Sequence, residues 1–119
     1  MKGPLAGMKV VELAHIMAGP VCGLMLADMG ADVVKVEKPQ GDDTRRFLPP
    51  DIEGVSAAYL MMNRNKRGIA LDLKNPDAVR VLERLLGSAD VVIENYRMGT
   101  MEKLGLGYDH LRTDRKSVV

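Results

Sequence analysis

Short apolar runs recur along the chain, separated by turn residues and by stretches with helical spacing. Lys9 to Leu13 is such a run, preceded by Gly7, and predicts a buried strand. Gly19 and Pro20 open a helix, with Pro20 suited to the first helical position. Cys22, Met25, Leu26 and Met29 recur at helical spacing, so this reading turns them toward the sheet, and Gly30 ends the helix. Ala31 to Val36 predicts a second strand, with Val33, Val34 and Val36 as its β-branched residues. Pro39 to Asp51 is polar and reads as a loop. A short helix is expected over Ala57 to Asn63 and a strand over Gly68 to Leu73. Asn75, Pro76 and Asp77 supply a helix cap, a first-turn proline and an acid favoured by the helix dipole. Ala78, Val81, Leu82 and Leu85 form the expected buried stripe of that helix, which Gly87 stops. Asp90 to Glu94 predicts another strand, and Thr100 caps a short helix ending at Gly105.

Strands alternating with helices argue for an α/β fold with a mainly parallel sheet and flanking helices. Ligands of such sheets bind at the carboxyl ends of the strands. Those ends carry His15, Glu37 with Lys38, Asp72 with Lys74, and Asn95 to Arg97.

The 119 residues suffice for one domain, with 46% hydrophobic and 28% charged residues. A net charge of +1 provides no global field toward nucleic acid or an acidic membrane. Cys22 is the single cysteine, so no internal disulfide forms, and a reducing cytoplasm is the expected setting. No apolar run reaches the length of a membrane span, about 20 residues, and the start MKGPLAGMKVVEL lacks the pattern of a signal peptide. Nine methionines against one phenylalanine and no tryptophan predict an adaptable core, not a methionine-lined cofactor site.

Three segments in fixed order resemble the family III CoA-transferases, a group with formyl-CoA transferases, carnitine CoA-transferases and acyl-CoA racemases. They are PLAGMKVVELAHIMAGPVCGLMLADMGADVVKVEKPQGDDTR (Pro4 to Arg45), NRNKRGIALDLKNP (Asn63 to Pro76) and ADVVIENYRMGTMEKLGLGYDHL (Ala89 to Leu111). Their spacing also fits, and together they span nearly the whole chain. The resemblance implies a Rossmann-like large domain, here incomplete, a smaller second domain and an interlocked homodimer. It implies acyl-CoA and a carboxylic acid as substrates, with no metal, no nucleic acid and no membrane partner. By that likeness Met17 and Ala18 touch the coenzyme beside His15. Met17 stands where the formate–oxalate enzymes carry glutamine, which counts against that acyl specificity. Lys38 would face the nucleotide phosphates, and Leu71, Asp72, Leu73 and Lys74 would line the adenosine end. Asn95, Tyr96 and Arg97 would follow, with Lys103 close by. Scattered cations and an apolar slot suit a ligand with several phosphates and a flat adenine.

The family mechanism implied is attack of an enzyme aspartate on the thioester, giving an enzyme anhydride and a CoA thiolate, followed by exchange with the acceptor acid. That aspartate would lie beyond Val119, so none of the aspartates here is a catalytic candidate. The native chain is accordingly expected to continue: residues 1–113 form the amino-terminal part of the large domain, and 114–119 form a tail. The final six residues match the translation of a sequencing adapter, and LRTDRKSVV is expected to form no further element. Three other readings compete. A racemase would use the same coenzyme. A nicotinamide dehydrogenase would place Glu37 on a ribose, but the turn from His15 to Pro20 lacks G-x-G-x-x-G. A non-catalytic nucleotide-binding module should close its sheet. Plainer roles are open too: His15 as a strand-end cap, Lys38, Arg45 and Arg46 as a solvated loop face, Asn95 as a turn former and Tyr96 as core.

Overall fold

In the computed structural model, which describes residues 2–113 and 117–118, Val10, Val11, Val33, Val36, Val92 and Ile93 are buried inside a five-stranded sheet. Its strands are β1 (Lys9–Glu12), β2 (Asp32–Glu37), β5 (Arg67–Ala70), β6 (Val91–Ile93) and β7 (Ser117–Val118). They lie in the order β5-β2-β1-β6-β7, and every neighbouring pair is parallel. Val10 sits opposite Val33 on one side and Val91 on the other. The chain builds outward from β1 through β2 to β5, then returns to the far side of β1 with β6. Order reverses there, so a crevice opens at the carboxyl ends beside β1.

Alternation within the strands feeds two cores. Val11, Val36 and Val92 pack with Leu82 and Leu86 of α3 (Pro76–Gly87), Met101 of α4 (Thr100–Lys103) and Leu111 of α5 (Tyr108–Arg112). Val10, Val33 and Ile93 face the other way, with Ala14, Ala27 and Ala31 against α1 (Ala18–Asp28). Over β1, β2 and β6 both faces of the sheet are covered, as buried parallel strands require.

Helix α1 presents a different face from the one its apolar spacing predicts. Met25 and Met29 are 60% and 38% exposed, while Gly19, Pro20, Gly23 and Ala27 are buried. The helix runs so close to β1 that a Cβ on Gly19 would lie 2.0 Å from the Ala14 Cβ. A Cβ on Gly23 would lie 1.9 Å from the Glu12 carboxylate. Small residues therefore take the inner face, and Cys22 and Leu26 are only half buried beside them. In α3 the stripe is rotated toward Leu82 and Leu86, leaving Val81 45% exposed. Its start is as expected: the Asn75 side chain accepts from the Asp77 N–H at 2.9 Å, with Pro76 in the first turn.

The loop after β2 holds more structure than its polarity suggested. Asp42 caps a 3-10 turn over Asp43–Arg46. A small hairpin follows, β3 (Asp51–Ile52) and β4 (Val55–Ser56), joined by Glu53 and Gly54 at φ 52° and 83°. Positive φ at both turn residues is the type I′ geometry that matches strand twist. Ser56 caps α2 (Ala57–Asn63) by accepting from the Tyr59 N–H. Thr100 is the first residue of α4, not its cap; Gly99 holds that position at φ 88°. Contrary to the expectation that the tail forms no element, Ser117 and Val118 pair with Val91 and Val92. The other tail residues, 114–116 and 119, lie outside the described residues.

Candidate functional site

Because the five strands are parallel, the segments leaving β1, β2, β5 and β6 emerge at one end of the sheet. A cleft of about 750 Å³ opens there. Its walls are Val36 to Gln40 after β2, Leu71 to Lys74 after β5, Tyr96 after β6, and Thr100 and Leu104 of α4. A smaller cavity of about 190 Å³ continues toward β1, lined by Leu13, Ala14 and His15. The two share Val36, Glu37, Lys38 and Tyr96, so they form one continuous surface.

Lys38, Leu71, Asp72, Leu73, Lys74 and Tyr96 are thus brought together, and His15 joins through the smaller cavity. The rings of His15 and Tyr96 stack with centroids 6.0 Å apart. Burial and then the nearby Glu94 carboxylate push the Tyr96 phenol up, so it stays protonated. Asn95 is exposed, lines neither cavity and holds the neighbouring turn instead. Its Oδ1 accepts from the His15 N–H at 3.0 Å and its Nδ2 donates to the His15 carbonyl at 2.8 Å, pinning that backbone. Met17 and Ala18 are exposed at the start of α1 and line neither cavity. Arg97 lines a neighbouring groove with Met98 and Tyr108, which meets the cleft at Tyr96. Lys103 is exposed on α4, whose Thr100 and Leu104 take the cleft-facing positions instead.

The sequence reading missed Arg46 as a cleft residue. The 3-10 turn folds it back so that Lys38 and Arg46 both reach Asp43, at 3.1 Å and 2.5 Å. Hydrogen bonding from Lys38 first, then the added charge of Arg46, holds the Asp43 carboxyl below its usual range. With Lys74 on the opposite wall, three cations border the cleft and two of them share one acid. The signal for Arg46 was the Asp42-Asp43-Thr44 run, a 3-10 cap with an acid in its first turn.

Glu37 has no such freedom. Arg45 grips its carboxylate with two donors at 2.8 Å, Tyr59 donates at 2.8 Å, and the Asp42 N–H donates at 2.7 Å. Burial pushes the Glu37 carboxyl up, but these bonds overcome it and hold it at about 2. Arg45 also lies 3.8 Å over the Tyr59 ring. A carboxylate committed to four donors of its own chain does not offer itself to a ribose, which removes the main argument for a dinucleotide dehydrogenase.

Beneath the cavity lies a buried group of four charges that the sequence reading also missed. Lys35 Nζ is 2.9 Å from Glu12 and 2.9 Å from Asp42, and it donates to the Ala14 carbonyl at 3.1 Å. Lys66 Nζ is 2.7 Å from the other Glu12 oxygen and donates to the Pro20 carbonyl and to Asn63. All four side chains are at most 2% exposed. Burial pulls the Lys66 ammonium down, against the pull of Glu12. The missed signal was strand parity: Glu12 and Lys35 are opposite-sign residues that become register partners on adjacent strands. Among the described residues, no group of His, Cys, Asp and Glu is arranged to hold a metal ion, and no helix is long and apolar enough to cross a membrane.

The description "CoA-transferase family III" matches residues 5–119. The chain belongs to that family. This family III chain is 52% identical over 118 residues to the succinate–glutarate CoA-transferase of Agrobacterium fabrum, covering 93% of its own length and 30% of the relative's. It is 43% identical to the human succinyl-CoA:glutarate CoA-transferase, covering 91% of its own length and 25% of the relative's. Its fold is similar to that of a CAIB/BAIF family protein from Brucella suis, with TM-score 0.89 and 47% identity over 96% of this chain and 31% of that one. The chain therefore spans less than a third of the length of these relatives.

Proposed function

We propose that the whole protein moves CoA from an acyl-CoA to a free carboxylic acid, and that this chain supplies a large part of the coenzyme-binding surface. The observation that carries the reading is the convergence of Lys38, Lys74, Tyr96, Leu71 and Leu73 on one cleft at the strand ends of a family III chain. Cations on both walls suit phosphates, and the Leu71, Leu73 and Leu104 side chains suit a flat adenine between them. His15 and the turn that follows it would then meet the pantetheine and thioester end. Met17 and Ala18 reach the ligand in this reading when the rest of the protein closes over the exposed start of α1. Arg97 and Lys103 remain part of the proposal at the rim.

The named relatives point further, to short dicarboxylic acids: succinate or its CoA thioester on one side and glutarate on the other. We take succinyl-CoA and a C4 or C5 dicarboxylate as the substrate pair. The nucleophilic carboxylate of the family mechanism would come from chain beyond Val119, along with the second domain and the interlocked dimer. The Rossmann-like description of the sheet and the cytoplasmic setting belong to the same reading. The test is direct. The protein from the complete reading frame is incubated with succinyl-CoA and glutarate, and the products are separated by chromatography. Appearance of glutaryl-CoA and free succinate is expected. Hydrolysis alone, or no change with any carboxylate acceptor, would overturn the proposal. This chain by itself is expected to give no turnover, because a positioned nucleophile provides a large part of the rate.

A further inference from the structure

The turn between β1 and α1 is held by residues far away in sequence. Ile16 sits at φ 68°, a left-handed conformation that a β-branched residue rarely adopts. Such strain persists only where the surroundings impose it. Two side chains do so here. Asn95 pins the backbone of His15 from one side. Asp42 takes the next peptide: its carboxylate accepts from the Ile16 N–H at 3.1 Å and 3.3 Å. Asp42 is itself immobilised. Thr44 donates to it through both N–H and Oγ1, at 3.0 Å and 2.9 Å, and Lys35 lies 2.9 Å from its second oxygen. Lys35 in turn bonds the Ala14 carbonyl, one residue before His15. Thus the peptide groups on both sides of His15 are tied, through buried charges, to β2 and its following loop.

We propose that Asp42 is a positioning residue: locked by Lys35, it holds the His15–Ile16–Met17 turn in the shape that receives the thioester end of the coenzyme. The inference rests on the proposed function and adds to it a residue that acts through the turn it holds. A carboxylate is required, and its amide is not equivalent. Asp42 accepts on both oxygens, from Ile16 and Thr44 on one and from Ile16 and Lys35 on the other. An asparagine amide has one accepting end, so either Lys35 or the Ile16–Thr44 side would confront an NH2 group. Ile16 would then relax toward negative φ and carry Met17 with it, leaving Asn95 alone to hold His15.

The test compares four full-length proteins in steady-state transfer: wild type, Asp42→Asn, Ile16→Gly and the double variant. Glycine populates positive φ as readily as negative, so it needs no clamp. Asp42→Asn is expected to lower kcat by about tenfold with little change in KM for the acyl-CoA, because misplacement costs the transition state more than binding. In the Ile16→Gly background the same change should cost about threefold or less. An equal loss in both backgrounds, or a loss of thermal stability with kcat intact, would show Asp42 to be structural only and overturn the clamp. Should Asp42→Asn fail to fold, Thr44→Val frees the same carboxylate from one of its bonds. It must then show a kcat loss that Ile16→Gly reduces, or the clamp is refuted. A wild-type protein without transfer activity would instead remove the proposed function itself, and with it the ligand the turn is said to meet.

Discussion

Two groups of charges lie within a few residues of each other and behave oppositely. In the buried group, Glu12, Asp42, Lys35 and Lys66 pair among themselves with balanced sign and almost no exposure. In the cleft, Lys38 and Arg46 are more than half exposed and share Asp43, whose side chain is 43% exposed. Buried ions have spent their interactions on one another and on backbone carbonyls, so they set shape. Solvated ions keep donors free, so they are available to an incoming anion. Residue type alone does not separate these roles; the number of satisfied partners does.

The contrast breaks most visibly at Lys35. Lys35→Met should leave Glu12 and Asp42 without their shared cation, at a cost of about 3–5 kcal/mol in urea unfolding. A loss below about 1 kcal/mol would place the group among weakly coupled surface pairs. Acid comes next. Glu37 and Asp42 have folded pKa values near 2, below their ordinary 4.5 and 3.8. The sign is that of depressed acids: their stabilisation is full above the ordinary values and is lost as pH falls toward 2. Each contributes on the order of 2 kcal/mol. Unfolding free energy should drop across that window, and Glu37→Gln should flatten the drop. Gly23→Ala pushes a Cβ against Glu12 and should cost about 1–3 kcal/mol, read as a lowered thermal midpoint. The smallest effect is in the cleft. Lys38→Ala in the complete protein should leave stability unchanged and weaken CoA by about 1 kcal/mol, since a rim contact is screened. Calorimetry with CoA and with dephospho-CoA checks this: a larger loss for CoA places Lys38 at the ribose phosphate, and no loss for either makes it a loop charge.

Much of the sheet was legible because its signals are local. The runs of valine at 10–11, 33–36 and 91–92 form strands, within a residue or two of the expected bounds, and the Asn75-Pro76-Asp77 start is in place. The convergence of Lys38, Lys74 and Tyr96 followed from parallel strand ends alone. What escaped depended on packing and register, or carried an atypical local signal. The inner face of α1 is chosen by how near β1 lies, so Gly19 and Gly23 outrank Met25 and Met29. The β5 strand is an edge with all four residues exposed, and its apparent alternation faces no core. The hairpin turn is Glu-Gly, which lacks the Asn or Asp that usually marks a type I′ turn. Lys35 looks like an outward-facing strand residue until the register sets it opposite Glu12.

The central strand also orders the events of folding. β1 joins β2 about two dozen residues on, but its other neighbour, β6, lies some eighty residues away. On the ribosome, β1, α1 and β2 emerge early enough to pair as a unit, with one long flank of β1 unpaired meanwhile. The Asn95 hold on His15 cannot exist until that flank is closed. The proposed coenzyme surface would therefore be the last part of this region to mature. A nascent chain halted before β6 would present a sticky strand edge to chaperones and no site to its ligand.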